Sequence, residues 1–295
     1  MNYKIVKLSF EKPVHFGEKR LSDSNIPFKS DSFYSALMIE AVKIGKENEF
    51  FTAVKNGSVA LSDLFPYKED KFFLPKPNIN LPYEMLTNKT LKNLKFISLE
   101  NMPNYILGNF DVEKEAENQT FGEASAMEKI SLQGEESEPY VVGVFRFEKN
   151  CGLYFIIQAT DTTLFDQLLC NLQYVGIGGK KASGYGQFSF EYTENKTLEK
   201  ALLSKGSKKL LLSTAMMQDV PSLQGARYKL IKRGGFIDSA TYSQTLVKKK
   251  DIYAFEAGST FDFTFEGDVF TVGTRGNHEV YRFLKPLFLE FGGVK

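Results

Sequence analysis

Tryptophan is missing from this 295-residue chain, and cysteine and histidine occur only twice each. Cys151 and Cys170 stand alone, outside any Cys/His cluster and without metal-ligand spacing, so a disulfide framework and a structural metal site are excluded as organising devices. A reducing compartment follows. There is no run of about eighteen apolar residues, and residues 1–7 read as a strand and not as a signal segment. The expectation is a cytoplasmic protein with no membrane contact. An excess of charge is also lacking: 37 Lys and Arg face 36 Asp and Glu, for a net charge of +1 and a pI near 7.6. With no global field to gather a polyanion, any nucleic-acid site must be a local patch.

Aromatic residues are abundant. The 27 Phe and 14 Tyr suit β structure, with a surplus for base stacking. Residues 3–10 alternate Tyr, Ile, Val or Leu and Phe with lysines, the pattern of a half-buried strand. Ser30 or Asp31 then opens a helix with Phe33, Leu37, Ala41 and Ile44 on one face, ending near Gly45. From 48 to 140 the pattern is broken by Pro66, Pro75, Pro77, Pro82 and Pro103, and residues 113–138 are acidic and poor in large apolar side chains. This region reads as an insertion with short strands around 94–99 and a mobile part at 113–138. Residues 140–147 and 153–158 read as a hairpin about Lys149-Asn150-Cys151-Gly152, followed by a helix over 161–174 and a strand over 187–192. The order over 1–195 is β-α-(insertion)-β-β-α-β, the split βαβ arrangement. Residues 193–208 are polar and lysine-bearing and read as a junction. Apolar alternations at 209–215, 228–232, 253–257, 259–268 and 280–291 make the remainder, 205–295, β-rich with little helix.

The densest local signal is the stretch 176–186, Gly-Ile-Gly-Gly-Lys-Lys-Ala-Ser-Gly-Tyr-Gly. It lies after a helix and before a strand, whereas a nucleotide-hydrolase phosphate loop runs from strand to helix. Gly179-Lys180 is followed by Lys181 instead of Ser or Thr, and Tyr174 stands where the first glycine of such a loop belongs. The dinucleotide fingerprint fails as well, because Lys181 occupies the place of its third glycine. What remains is a backbone free to take positive φ, with Lys180, Lys181, Ser183 and Tyr185 beside it. Such a loop suits an extended polyanion. The plain alternative is a tight connection that needs glycine for sterics alone.

The loop resembles the glycine-rich loop of the RAMP superfamily, the repeat-associated RNA-binding proteins of CRISPR systems. The segments His15-Phe16-Gly17, Phe28-Lys29-Ser30-Asp31-Ser32-Phe33-Tyr34-Ser35-Ala36-Leu37, Leu64-Phe65-Pro66, Phe73-Leu74-Pro75-Lys76-Pro77 and Lys285-Pro286-Leu287-Phe288 narrow the resemblance. Together they are similar to the family of type III-A effector subunits that hold the 5′ repeat-derived tag of CRISPR RNA (crRNA). The resemblance implies an α+β fold of two ferredoxin-like (RRM-like, βαββαβ) domains in tandem. The first, 1–195, carries a large insertion at about 48–140; the second, 205–295, is degenerate and β-rich. It further implies an antiviral assembly subunit, not an enzyme, without a cofactor. Its partners would be crRNA, the large polymerase/cyclase-like effector subunit and the backbone RAMP subunits of the same complex.

Under that resemblance, RNA contact is expected at Gly176, Gly178, Gly179, Lys180, Lys181, Ser183, Gly184, Tyr185 and Gly186. His15, with Phe16 and Gly17, is a candidate base contact or a general base. Contact is favoured, because a base needs an acid partner and no second histidine is near in sequence. Ser30, Asp31 and Ser32 read as a helix N-cap whose free amides also suit phosphate. Arg227, Lys232, Arg233, Gly234, Gly235 and Phe236 form a smaller glycine loop in the second half, with Phe236 available for stacking. Lys248-Lys249-Lys250 reads as a solvated run, with contact to the RNA backbone as the alternative. The alternative function is a metal-independent endoribonuclease acting on CRISPR precursor RNA. In such enzymes this loop lies close to the C-terminus, whereas about a hundred residues follow it here.

Overall fold

The computed structural model describes residues 2–17, 21, 22, 24, 26–133, 136–219, 222–237, 247–275 and 278–292, apart from the side chains of 131–137 and 275. The elements of the first half are β1 (Asn2–Ser9), α1 (Ser30–Lys43), α2 (Glu47–Lys55), β2 (Val59–Leu61), β3 (Phe65–Lys68), β4 (Lys71–Pro75), α3 (Tyr83–Thr87), α4 (Lys89–Asn93), β5 (Phe96–Ser98), α5 (Met102–Leu107), α6 (Val112–Asn118), β6 (Gly122–Gln133), β7 (Glu136–Phe147), β8 (Cys151–Ala159), α7 (Thr163–Val175) and β9 (Ser189–Thr193). The second half holds α8 (Lys196–Leu203), β10 (Lys208–Leu211), β11 (Leu230–Arg233), β12 (Ile252–Phe255), β13 (Thr260–Phe261), β14 (Val269–Arg275), β15 (His278–Phe283) and β16 (Phe288–Phe291). The fold class is α+β. Among the described residues no helix is long and apolar enough to cross a membrane.

β1 is central in the main sheet, antiparallel to β8 on one side and to β9 on the other. β8 carries β2 and β3 on its far edge, and β4 and β5 continue outward. Each face of this sheet has its own core. Leu153, Phe155 and Ile157 of β8 meet Phe33 and Leu37 of α1 and Phe165 and Leu168 of α7. Tyr154 and Ile156, with Ile5 of β1, meet Phe73, Leu74, Leu210 and Leu289 on the opposite face. Because both faces are covered, β8 reads as an unbroken apolar run instead of an alternation.

Residues 140–147 do not pair with β8, contrary to the hairpin read from the sequence. The edge of β8 belongs to β2 and β3, which lie inside the stretch 48–140 that read as insertion. β7 pairs instead with β6 in a long hairpin, in register from Gly122 opposite Phe147 to Gln133 opposite Glu136. The acidic stretch 113–138 is likewise ordered where described, in α6 and in this hairpin. Residues 123–128 are exposed to solvent, so they need no apolar face and show no alternation; cross-strand pairing satisfies their backbone. The rest of the insertion is held by Glu115 of α6, fully buried, which accepts from Ser98 N at 2.6 Å, Ser98 Oγ at 2.9 Å and Asn101 Nδ2 at 2.7 Å.

The stretch 193–208 is more than a polar junction. Asn195 Oδ1 accepts from Leu198 N at 2.9 Å and caps α8, whose Leu198 and Leu202 are buried. β10 then sits between β13 and β16. β11 pairs with β12 and β14 with β15 as separate two-stranded ribbons. Within 259–268 only Thr260–Phe261 is strand. The alternating Phe261, Phe263 and Phe265 form an aromatic cluster, with Phe261 and Phe265 edge to face at 5.2 Å.

Glu290 on β16 closes this half, accepting from Lys209 Nζ at 2.6 Å, Gly206 N at 3.1 Å and Lys205 Nζ at 3.3 Å. These donors pull its carboxyl from the ordinary 4.5 down to about 2. A depressed folded-state pKa means the stabilisation is complete above about 4.5 and is lost as the pH falls toward about 2. Glu290→Gln is therefore expected to be less stable at pH 7 by about 1 kcal/mol, solvent screening keeping the figure small. In urea unfolding series, the gap to the parent protein closes as the pH drops through that window.

Candidate nucleic-acid interface

After β1 the chain crosses the root of the β6–β7 hairpin, and Val14 and Phe145 exchange two backbone hydrogen bonds of 2.8 Å. That crossing presses His15, 7% exposed, against the hairpin, with its Nδ1 2.6 Å from the Gly143 carbonyl oxygen. A carbonyl only accepts, so Nδ1 is the donor in this contact. The glycine loop at the end of α7 then folds onto the same segment. Gly179 N donates to His15 O at 2.9 Å, and Gly186 N donates to Pro13 O at 3.0 Å.

Two loop glycines are required by this packing. Gly178 has φ +89°, and a Cβ there would lie 2.5 Å from His15 O; a Cβ on Gly179 would lie 2.6 Å from His15 Cδ2. Sterics thus account for the inner part of the loop. The outer part is different: Lys181–Ser183 forms one turn of 3-10 helix, with Lys180 and Lys181 half-buried and Ser183 exposed.

The start of α1 has no side-chain cap of its own. Asp63, fully buried, fills that role from the next strand connection: its Oδ1 accepts from Ser30 N at 2.9 Å and Thr214 N at 2.8 Å, and its Oδ2 accepts from Thr214 Oγ1 at 3.0 Å. Asp31, 1% exposed, turns instead toward the second half of the chain. Arg233 of β11 donates to it from Nε at 3.0 Å and Nη2 at 2.8 Å, and Arg282 of β15 donates from Nη1. Arg233 Nη2 also reaches Ser32 Oγ at 3.0 Å, and Arg282 Nη2 donates to Gly234 O at 2.7 Å. Burial pushes the Asp31 carboxyl up, but Arg233 and then Arg282 outweigh it and hold the group below the usual carboxylate range.

These segments enclose a groove of about 320 Å³. Of the positions expected from the sequence, His15, Phe16, Gly17, Asp31, Ser32, Gly178, Gly179, Lys181, Arg233, Gly234, Gly235 and Phe236 line it. The others lie outside. Ser30 is buried beneath α1 against Thr214 and Asp63. Gly176 ends α7, Gly186 packs on Pro13, and Gly184 borders Lys12. Tyr185 is buried against Val142 and Val144 at the hairpin root. Lys180 sits 4.6 Å from the ring of Tyr140, and Ser183 points to solvent. Arg227 is exposed beside Thr260, and Lys232 pairs with Asp251 at 2.9 Å.

The groove also contains residues that sequence reasoning did not single out. Arg282 was hidden inside the apolar alternation of 280–291, where a charged residue at an inward position was the available signal. Lys249 belonged to a lysine triplet that read as solvated, yet it is half-buried here. Lys29 lies in the wall and is balanced by Glu256 at 3.2 Å and Asp63 at 3.7 Å. Among the described residues the lining holds Lys29, Lys181, Arg233, Lys249 and Arg282 with the carboxylate Asp31, which Arg233 and Arg282 share, while Lys29 is paired outside it. Phe236, 57% exposed, is also part of the lining.

A cationic groove alone fits many RNA-binding families; similarity along the whole chain decides among them. A relative described as the CRISPR system Cms protein Csm4, from Mycobacterium tuberculosis, is 31% identical over 298 residues, covering 98% of each chain. The chain belongs to the Csm4 family. A family model described as the CRISPR Csm4 C-terminal domain matches residues 204–291. The fold is similar to that in a crystal structure of a Csm3–Csm4 subcomplex of the type III-A CRISPR-Cas interference complex, with a TM-score of 0.67 at 20% identity over 99% of this chain and 100% of that one. It is also similar to that in a Csm1–Csm4 cassette with AMPPNP, with a TM-score of 0.65 at 18% identity over 99% of both chains.

Proposed function

We propose that this member of the Csm4 family is the non-catalytic crRNA-binding subunit of a cytoplasmic type III-A effector, anchoring the 5′ repeat-derived tag. What carries the reading is the convergence of His15 to Gly17, Gly178 to Lys181 and Arg233 to Phe236, three segments far apart in sequence, on one positively charged groove. Phosphates would meet Lys181 and Arg233, while splayed bases meet Phe236 and the edge of His15. Solved Csm4 chains occur with Csm3 and with Csm1, and we assign this chain the same two kinds of neighbour, a backbone RAMP subunit and the large polymerase/cyclase-like subunit. We read residues 1–195 as one ferredoxin-like unit, with the β6–β7 hairpin projecting from it. Residues 205–295 are read as a second, degenerate unit. In this reading the groove is built from both.

The test is incubation of the purified full-length chain with 5′-labelled repeat RNA in the absence of metal. Intact RNA retained by the protein, with affinity falling as salt rises, is the expected outcome. A shortened product that disappears in His15→Ala would replace this reading with the precursor-processing endoribonuclease.

A further inference from the structure

We propose that Asp31 is a positioning residue for RNA. On this view its buried carboxylate does not meet the ligand but aims the Arg233 and Arg282 guanidinium groups across the groove. The inference rests on the reading of the groove as the crRNA site and names how that site is held in shape. A carboxylate in the wall of a polyanion site is unfavourable unless something offsets its charge. Here two guanidinium groups share it and offset that charge. Arg233 meets Asp31 through both Nε and Nη2, and this two-point contact fixes the plane of the guanidinium as a single contact would not. Ser32 Oγ and the Gly234 carbonyl complete the frame. Arg282 lines the groove and is 6% exposed, and its Nε has no hydrogen-bond partner among the described residues.

The chain positions reinforce the point. Asp31 opens α1 in the first half, while Arg233 ends β11 and Arg282 lies in β15 of the second. Without the carboxylate, two guanidinium groups drawn to one point would repel each other, and the long side chains would disperse.

The experiment turns on the sign of the effect. Asp31→Asn removes a negative charge from an RNA site, so electrostatics alone predicts tighter binding; positioning predicts weaker binding. Affinity of the purified full-length chain for 5′-labelled repeat RNA is read by fluorescence anisotropy across a salt series. The expected result is a loss of about tenfold for Asp31→Asn, with a shallower dependence on salt because phosphate contacts are lost. Asp31→Glu restores part of the loss. Arg233→Lys keeps the charge but removes the fork, and is expected to lose a similar factor; it serves as the second reading if Asp31→Asn does not fold. Glu115→Gln, at an equally buried carboxylate in α6 outside the groove, is expected to lower thermal stability while leaving affinity within about twofold.

Unchanged or tighter binding by Asp31→Asn overturns the inference while leaving the RNA site intact. Equal losses in the Asp31 and Glu115 variants overturn it in favour of a merely structural role. Failure of the parent protein to bind the RNA at all overturns the reading of the groove itself, and the inference with it.

Discussion

Replacing Lys181 and Arg233 together by alanine is expected to weaken binding of repeat RNA about 100-fold at physiological salt. The estimate follows from the chemistry of the contacts. Each side chain offers a charge-assisted bond to a phosphate oxygen, worth about 1–3 kcal/mol when lost, and about 2.7 kcal/mol in total is a factor of about 100. Both residues line the groove, and they reach it from opposite halves of the chain. The slope of log affinity against log salt should also become less steep, by roughly 0.7 for each phosphate contact removed from a single strand. Lys232→Ala is the comparator. Its ammonium group pairs with Asp251 outside the groove, so the affinity is expected to stay within about twofold. An anisotropy titration of the three proteins at several salt concentrations checks both the loss and the slope.

The second large effect concerns stability. Asp63→Ala is expected to destabilise the chain by about 3–5 kcal/mol, the range for removing one partner from a buried charged network. The carboxylate holds the first amide of α1 and both the amide and the hydroxyl of Thr214, and it lies 3.7 Å from the Lys29 ammonium group. Its loss strands donors from both halves of the chain in a dry interior. For a chain of this size the corresponding fall in Tm is about 10 °C, measurable by thermal unfolding followed by circular dichroism. The parallel substitution Asp63→Asn keeps the volume and part of the hydrogen bonding, and should fall between the two.

The glycine loop was legible in the sequence because everything that marks it is local: five glycines, two lysines and a helix before it. The central strand β1 and helices α1 and α7 were legible for the same reason, since their apolar periods are set within about a dozen residues. The partners of Asp31 were not. Arg233 and Arg282 lie 202 and 251 residues away, and no local period connects a helix start to two distant strands. Asp63 was hidden in the same way, acting as the cap of a helix that begins 33 residues earlier.

The β6–β7 hairpin failed for a different reason. Acidic, exposed strands that bury little apolar surface carry the composition of a disordered segment, and only the pairing of the two strands with each other distinguishes the cases. The misplacement of residues 140–147 followed directly. Val142 and Val144 alternate as a core strand would, but they pack on Tyr185 at the foot of the hairpin and not on β8.

That foot has a mechanical consequence. Twelve residues to a side make an arm of about 40 Å. Its leverage is anchored where Gly143 grips the imidazole of His15 and Val14 is laced to Phe145. Sliding one strand past the other by a single step would turn Val142 and Val144 outward and carry Gly143 off the ring. Alignment of the arm and the shape of the cleft wall are therefore one setting.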